Sequence, residues 1–220
     1  DFDNDGDLDY VVGNLGLNYK YNASLVEPFH VYANDFDNNG RPEQLVCRKD
    51  GDNYFPIHDI DEVFSQLPHL KKDYRSYNKY SEASLSALVG ADAQSSSMQL
   101  SLEELSSVLL LKDGGQFKMK KLGSKAQYSS IHYILPMDHN EDGIMDLIIG
   151  GNDFRFKPQF GRQDASLGWV CYGKKLKEDF NFDTCISLSI DGEIRALKLI
   201  NDRQIIVGKN NGPIEIYERN

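Results

Sequence analysis

The chain has 220 residues, of which 40% are hydrophobic, enough for one large or two small globular domains with a packed core. A predominantly disordered chain is thereby excluded. Its 24 Lys and Arg residues and 34 Asp and Glu residues give a formal net charge of -10 at pH 7. This balance disfavours nucleic-acid and anionic-membrane partners and favours cations. The longest apolar stretch is too short to span a bilayer, and no signal peptide is visible.

Acidic residues cluster in three windows that share one plan. Residues 1–13 are DFDNDGDLDYVVG, residues 35–47 are DFDNNGRPEQLVC, and residues 138–150 are DHNEDGIMDLIIG. Each is an acidic loop with Gly at its sixth position, followed by a short apolar strand. The second and third loops are also preceded by strand-like runs, at 29–34 and 131–137. The repeated unit is therefore strand, acidic loop, strand.

Residues 51–105 interrupt this rhythm and carry most of the helix-like sequence, at 59–67 and 81–89. We interpret the segment as a helical insertion between two strands of one repeat. Between the two predicted helices, residues 69–80 form the most basic stretch of the chain.

Within this basic stretch, Tyr74, Tyr77 and Tyr80 recur at a spacing of three, which predicts that their rings lie on one side of a helical turn. Tyr74 and Tyr77 are candidate contacts for an acidic ligand such as a uronic-acid glycan or a phosphate. The alternative is a solvated linker whose tyrosines pack on the neighbouring sheet.

Strands return after the insertion. β-rich runs predict them at 107–112, 116–121, 167–172 and 185–190. Asp113-Gly114-Gly115 supplies the positive-φ turn residues of a hairpin between the first two.

The tail from Ile194 onward predicts three more strands, joined by turns at Asn201-Asp202 and at Asn210-Asn211-Gly212. It is typical of the same repeat with the acidic loop shortened to a plain turn. Short strands in groups of about four favour a propeller or a sandwich over an α/β plan. The predicted fold is all-β, with β-propeller blades of four-stranded antiparallel sheets.

The three cysteines, Cys47, Cys171 and Cys185, are an odd number without a close CxxC pair. Neither a zinc site nor a full disulfide framework is indicated. All three could be small buried hydrophobic residues. A bridge between Cys171 and Cys185 stays open, because both lie in strand-like runs that could be neighbours.

Alternate residues of each loop can turn oxygen atoms toward one centre, which suits a hard cation with six to eight oxygen ligands. The sixth-position glycine permits the sharp turn. The predicted ligands are Asp1, Asp3, Asp5, the carbonyl of Asp7, and Asp9 in the first loop; Asp35, Asp37, Asn39, the carbonyl of Arg41, and Glu43 in the second; and Asp138, Asn140, Asp142, the carbonyl of Ile144, and Asp146 in the third.

Calcium is the predicted ion, one for each loop. An EF-hand would need a Glu at the twelfth position and a following helix, but those positions are Val12, Val46 and Ile149, each in a predicted strand. Magnesium demands stricter octahedral geometry, and zinc or iron would require His or Cys ligands. A loop that supplies five ligands within nine residues encloses its ion, so the predicted role is structural and not catalytic.

A second candidate surface is the segment 150–169, which lies between two predicted strands. Loops on rigid β scaffolds often carry binding function. Its candidate ligand contacts are Phe154, Arg155, Phe156, Lys157, Phe160 and Arg162. The alternative is that these aromatic rings pack over a sheet edge. No motif for a nucleophile, a zinc protease or a phosphate-binding loop is present, so no catalytic residue is predicted.

With these loops in place, the sequence resembles the FG-GAP or VCBS repeat family, whose blades carry the calcium loop of the integrin α-subunit propeller. The loop motifs match residue by residue, with Asn39, Glu43 and Asn140 as mild departures. NLGLNYKYNAS at 14–24 and GRQDASLGW at 161–169, with EPFHVYANDFDNNG across the second loop, look like bacterial VCBS-repeat proteins related to the cartilage acidic protein group.

The resemblance implies a seven-bladed propeller, of which residues 1–220 would form about four C-terminal blades. Because Asp1 opens a metal loop, we expect the chain to continue a longer protein, with the remaining blades as partners. The resemblance also implies a secreted or outer-membrane lipoprotein that acts as a glycan- or protein-binding module or scaffold, and not as an enzyme. An alternative is a polysaccharide hydrolase or lyase with a site at the propeller axis; another is a purely structural segment.

Overall fold

The computed structural model describes residues 1–157, 160–176 and 179–219. Strands make up 42% of it and helices 15%, so the chain is mostly β, as predicted. The strands are β1 (Tyr10–Val12), β2 (Phe29–Asn34), β3 (Glu43–Asp50), β4 (Asn53–Pro56), β5 (Met98–Leu102), β6 (Val108–Asp113), β7 (Gln116–Lys121), β8 (Ile131–Met137), β9 (Asp146–Gly151), β10 (Trp169–Leu176), β11 (Asp179–Ser187), β12 (Glu193–Asn201), β13 (Gln204–Asn210) and β14 (Glu215–Glu218). The helices are α1 (Ile60–Gln66), α2 (Tyr77–Ser81), α3 (Leu85–Val89) and α4 (Ala91–Ser95), with 3-10 helices at Pro68–Lys72 and Ser124–Gln127.

The strands form four antiparallel sheets. Two have four strands, in the orders β4-β3-β2-β5 and β11-β10-β9-β8, and two have three, β1-β6-β7 and β12-β13-β14. The sheet β11-β10-β9-β8 is a meander, in which each strand pairs with its neighbour in sequence. The second acidic loop joins β2 to β3, and the third joins β8 to β9. Both loops therefore connect adjacent antiparallel strands, as the repeat predicts.

The chain divides into two compact units. The smaller unit, Ala23–Glu104, contains the sheet β4-β3-β2-β5 and helices α1 to α4. The larger unit combines Asp1–Asn22 with the chain from Leu105 onward and contains the other three sheets. In sequence the smaller unit is inserted between β1 and β6, which pair with each other in the larger unit.

Helices of the smaller unit lie between β4 and β5 in sequence, and both strands fall inside the range 51–105. The predicted helix at 59–67 corresponds to α1, which Asp59 caps by accepting the amide of Glu62. The predicted helix at 81–89 is wrong in its first half. There α2 ends and α3 begins anew at Leu85, because the hydroxyl of Ser84 accepts an amide of the first turn.

One hydrophobic core holds the smaller unit together. It joins side chains of β3 to those of the helices, and the most buried members are Leu45, Cys47, Val63, Leu67 and Leu85. Each of these five side chains is fully excluded from solvent. The unit therefore buries an apolar core of its own.

The larger unit has two core clusters, which lie on opposite faces of β9. Leu147 and Ile149 pack in one cluster and Ile148 packs in the other, since successive side chains of a strand point to opposite faces. All six residues of β9 are buried. At Gly151 a Cβ atom would lie 1.7 Å from the carbonyl oxygen of Ser130, so only glycine allows this close approach.

The strand predicted at 185–190 is misplaced. The observed strand β11 ends at Ser187, and Ser189 has a φ of 58°, which breaks the extended backbone. Leu188 and Ile190 alternate like strand residues because both enter the core from the connection that follows β11. Their amides donate to carbonyls of the segment before β10 and not to a strand ladder.

Cys171 and Cys185 form a disulfide. They lie directly opposite each other on the paired strands β10 and β11, so the bridge left open by the sequence is confirmed. Cys47 is a free, fully buried thiol in β3 of the smaller unit.

Candidate metal loops and binding surfaces

In each acidic loop, the carboxylate at the first position accepts two backbone amides of the same loop. Asp1 accepts those of Asp5 and Gly6 at 3.0 and 3.2 Å. Asp35 accepts the corresponding fifth and sixth amides at 2.9 and 2.8 Å. Asp138 does the same at 3.1 and 2.9 Å. The first residue therefore folds the chain around its own carboxylate.

The third and fifth positions extend this pattern. A third-position oxygen accepts the fifth amide at 3.3, 3.1 and 3.2 Å in the first, second and third loops. A fifth-position oxygen accepts the seventh amide at 2.8, 2.9 and 2.8 Å. Because the bonds repeat, the three loops have one backbone design despite their different sequences. The residues so placed are Asp3 and Asp5, Asp37 and Asn39, and Asn140 and Asp142, with the seventh-position amides on Asp7, Arg41 and Ile144.

Two positions of each loop have a left-handed backbone. The sixth is the predicted glycine, with φ of 95°, 84° and 83° in the three loops. The fourth position was not singled out from the sequence, and its φ is 60° at Asn4, 58° at Asn38 and 60° at Glu141. Asparagine tolerates this conformation better than most residues, so Asn4 and Asn38 could have indicated the left-handed backbone from the sequence.

The ninth position closes each loop against its own start. Asp9 accepts the amide of Phe2 at 2.7 Å, and Asp146 accepts the amide of His139 at 2.9 Å. Glu43 accepts the equivalent amide, that of Phe36, at 2.8 Å. All three closing acids thus bond the second residue of their loop.

The loops differ in what the second oxygen of the closing acid contacts. In the first loop it accepts the amide of Lys112 in β6 at 2.9 Å, and in the third it accepts the amide of Gly173 in β10 at 2.9 Å. In the second loop, Glu43 instead lies 3.4 Å from the amide nitrogen of the Asn39 side chain in the same loop. Two loops are therefore anchored to a further strand, while the second is closed on itself.

Carboxylate spacing fits a calcium ion in two of the loops. One oxygen from each of Asp1, Asp3 and Asp9 lies within 4.8 Å of the others, and the same holds for Asp35, Asp37 and Glu43 in the second loop. Two oxygens bound to calcium at about 2.4 Å can be at most about 4.8 Å apart. The all-oxygen donor set suits calcium and lacks the His or Cys that zinc would require.

The third loop forms no such carboxylate triplet within the described residues. Its third position is Asn140, whose amide group donates to Asp142 at 2.9 Å. The equivalent donor set therefore has two carboxylates and one amide oxygen. Burial raises the pKa of Asp146, although amides of Gly173 and His139 oppose that shift. A cation beside this carboxylate would favour its charged form and so oppose the shift.

The candidate ligand contacts of segment 150–169 lie in two separate places, an aromatic cluster and the region around Phe154. The rings of Phe156 and Phe160 join those of Tyr19 and Tyr21 in a half-buried cluster, with centroids 5.6 Å apart for Tyr19 and Phe156 and 5.7 Å apart for Tyr21 and Phe160. Lys157 is exposed nearby. Residues 158 and 159 of this segment lie outside the described residues.

The remaining contacts of this segment lie around Phe154. The guanidinium of Arg162 lies 3.6 Å from the ring centroid of Phe154 and also pairs with Asp164 at 3.4 Å. Phe154 and Arg155 line a cavity of about 430 Å³ that also includes Glu193. The amide of Phe154 donates to Glu193 at 2.9 Å and so fixes the start of the segment to β12.

The three tyrosines of the basic stretch do not share one surface. Tyr74 precedes α2, packs against the core of the smaller unit and donates to the carbonyl of Ala87 at 3.0 Å. Tyr80 is buried and donates to the carbonyl of His58 at 2.8 Å. Tyr77 alone is largely exposed, at 65%.

Ser130 and His132 form a Ser-His pair. Ser130 Oγ lies 3.2 Å from Nε2 of His132. Within the same residues no carboxylate is hydrogen-bonded to Nδ1 of His132, so the third member of a triad is missing. Burial, followed by the charge of Arg195, lowers the pKa of His132.

Comparisons with known proteins yield no relative: no family model, no curated protein and no solved structure matches the chain. Among the described residues, no helix is long and apolar enough to cross a membrane.

Proposed function

We propose that this chain is a non-catalytic, calcium-stabilised part of a β-propeller that acts as a binding or scaffold module at a cell surface. The observation that carries the proposal is the shared backbone design of the three acidic loops. Each gathers a set of oxygen atoms next to a strand, and each would bind calcium only in the folded state. Calcium would therefore stabilise the fold by mass action.

Sheet architecture supports the propeller part of the proposal. The meander β11-β10-β9-β8, with an acidic loop between β8 and β9, has the form of one complete blade. The three-stranded sheets β1-β6-β7 and β12-β13-β14 each expose apolar side chains that a further sheet could cover, such as Tyr10 and Met119 on the first and Ile200 and Ile216 on the last. Such faces suit packing against additional blades.

Thermal unfolding tests the calcium part. We expect chelator-stripped protein to melt at a lower temperature than protein in excess calcium, and we expect added calcium to restore the loss. Magnesium at the same concentration is the control and should restore little, because it accepts a flexible oxygen cage poorly. An unchanged melting curve in excess chelator would contradict the proposal.

A screen of immobilised glycans and cell-surface proteins in calcium tests the binding part. Retention of a ligand without any product supports a binding module. Turnover of a polysaccharide that is lost in a His132→Ala variant would favour the hydrolase or lyase alternative instead.

A further inference from the structure

A cavity of about 540 Å³ in the larger unit, which we call the Tyr128 pocket, is lined by Leu17, Asn18, Ser124, Gln127, Tyr128 and Ala165. It contains none of the loop ligands and none of the contacts predicted from the sequence. Leu17 and Tyr128 present apolar surface to solvent, with exposures of 39% and 36%. A concave site with apolar walls and a few polar groups is the usual form of a small-molecule pocket.

The walls of the Tyr128 pocket are held rigidly. The side-chain amide of Gln127 accepts the amide of Ser107 at 2.9 Å and donates to the carbonyls of Ser107 and Leu122 at 2.9 and 3.0 Å. The carbonyl of Gln127 accepts the amides of Leu17 and Asn18 at 2.9 and 3.1 Å. The Gln127 part of the pocket lining is therefore fixed by hydrogen bonds to neighbouring segments.

The segment around Gly16 can approach Gln127 this closely only because residue 16 is a glycine. Gly16 has a φ of 88°, and a Cβ atom there would lie 2.6 Å from the carbonyl oxygen of Gln127. The side chain of Asn18 then donates to the carbonyl of Tyr128 at 3.1 Å. A pocket fixed in this way loses little conformational freedom when it binds a ligand.

A positive charge, that of Lys125, lies beside the Tyr128 ring that lines the pocket. The ammonium of Lys125 lies 4.9 Å from the ring centroid of Tyr128 and 5.3 Å from that of Trp169. No acidic side chain pairs with Lys125 in the described part of the chain. In a protein with a net charge of -10, this leaves a positive group beside an apolar ring surface.

We propose that the Tyr128 pocket binds a small organic anion with one flat apolar face, namely a ring that carries a carboxylate. The apolar face would lie against Tyr128 and Leu17, and the carboxylate would pair with Lys125. The Oδ1 atom of Asn18 and the hydroxyl of Ser124 would bond hydroxyl groups of the ligand. This goes beyond the proposed function, because the pocket needs neither calcium nor a closed propeller.

Trp169 provides the measurement, because it is the single tryptophan of the chain and lies next to Lys125 and Tyr128. Its fluorescence would be titrated with two probes that each carry a carboxylate on a ring. One is a saccharide, a galacturonic acid trisaccharide, and the other is an aromatic acid, benzoate. Each has a neutral counterpart, a galactose trisaccharide and benzyl alcohol. We expect saturable binding of at least one acid and much weaker binding of its neutral counterpart.

Lys125→Met is the test variant, and Lys198→Met on β12 is the matched control, since it removes the same charge outside the pocket. We expect Lys125→Met to weaken binding about 10-fold to 100-fold, the loss typical of a charged hydrogen bond, and the control to leave it unchanged. Calorimetric titration on both variants guards against a change in tryptophan brightness alone.

The outcomes separate cleanly. Selective binding of the uronate identifies a saccharide ligand, and selective binding of benzoate identifies an aromatic acid. The proposal is overturned if neither acid binds, if the neutral counterparts bind equally well, or if Lys125→Met binds like the wild type. A calcium-dependent melting shift would survive such a failure, so the proposed function is judged separately.

Discussion

The two units close their acidic loops in different ways. In the larger unit, Asp9 and Asp146 each use one oxygen to hold the loop and the other to accept an amide from a further strand, at Lys112 and Gly173. In the smaller unit, Glu43 holds its loop with one oxygen and faces Asn39 of the same loop with the other. The larger unit also has a cross-strand disulfide, whereas the smaller unit has a free buried thiol.

This difference shows that one loop design can serve two structural roles. Where the closing acid reaches a further strand, the loop is part of the sheet, and its loss should disturb strand pairing. Where the loop closes on itself, it should act mainly as a local ion-binding element, and its loss should disturb strand pairing less. The unfolding of each unit can be followed separately. Trp169 fluorescence reports on the larger unit, and labelling of the free thiol of Cys47 reports on the smaller one.

The largest effect is expected for Asp146, the closing acid of the third loop. Asp146 is fully buried and accepts two amides, so Asp146→Ala should leave both unsatisfied and lower the free energy of unfolding by about 3 kcal/mol. Glu43→Ala removes the acceptor of one backbone amide and should cost about 1 kcal/mol. Urea unfolding followed by both reporters measures the two losses. Equal losses would remove the distinction between the units.

The disulfide should stabilise only the larger unit. Its cysteines are separated by 14 residues, for which chain entropy predicts a stabilisation of about 3 kcal/mol, and measured values are often lower. We expect Cys171→Ala with Cys185→Ala to shift the Trp169 transition and to leave Cys47 labelling unchanged. A matching shift in labelling would show that the units unfold as one.

At the sixth position the units should behave alike. Gly40 and Gly143 have φ of 84° and 83°, and among the described residues no atom beyond the glycine and its two chain neighbours lies within 4 Å of the place that a Cβ would take. Gly40→Ala and Gly143→Ala should therefore each cost about 1 kcal/mol from backbone strain alone. Gly208→Ala is the control, since its φ is not positive and its nearest contact would be an ordinary 3.4 Å. Thermal melting of the three variants measures the costs, and a control as unstable as the others would contradict the strain argument.

The thiol of the smaller unit affects stability through its titration only in alkaline solution, and not near neutral pH. Burial raises the pKa of Cys47 from 9.0 to about 12. Well below pH 9 the thiol is neutral in both the folded and the unfolded state, so its effect on stability is constant there. Above pH 9 the unfolded state loses its proton first, so the smaller unit should lose stability as pH rises toward 12.

Labelling of Cys47 with a thiol reagent across this range checks the prediction. The labelling rate should rise more steeply with pH than the rate for a free cysteine, because opening becomes easier while the thiolate fraction also grows. A rate that follows the free-cysteine curve at all pH values would mean that Cys47 is reached without opening of the core.

Local sequence signals predicted much of this structure. The bounds of β2, β7 and β8 agree with the predicted strands at 29–34, 116–121 and 131–137, because each has a clear apolar pattern and a turn signal at one end. Gly114 and Gly115 form the predicted turn, with φ of 56° and 87°. These features depend on neighbouring residues alone.

Long-range features were not predictable in the same way. β1 pairs with β6, from which it is separated by the whole smaller unit, and no local pattern specifies that pairing. Leu188 and Ile190 give the alternating apolar pattern of a strand, but the pattern arises because both are buried in the core and not because they pair with a strand. The regular spacing of Tyr74 and Tyr80 gave no information on which core contacts would bury each ring. The Tyr128 pocket combines residues from three separate segments, so its existence depends on tertiary folding.

Calcium stoichiometry is the most direct test of whether the three acidic loops bind ions. Calorimetric titration of chelator-stripped protein should show one calcium for each acidic loop. Asp37→Asn keeps a side-chain oxygen for the amide of Asn39 but removes a carboxylate, so it should weaken one of these sites and leave the others. The absence of any calcium binding to the folded wild-type protein would show that the acidic loops are not calcium sites.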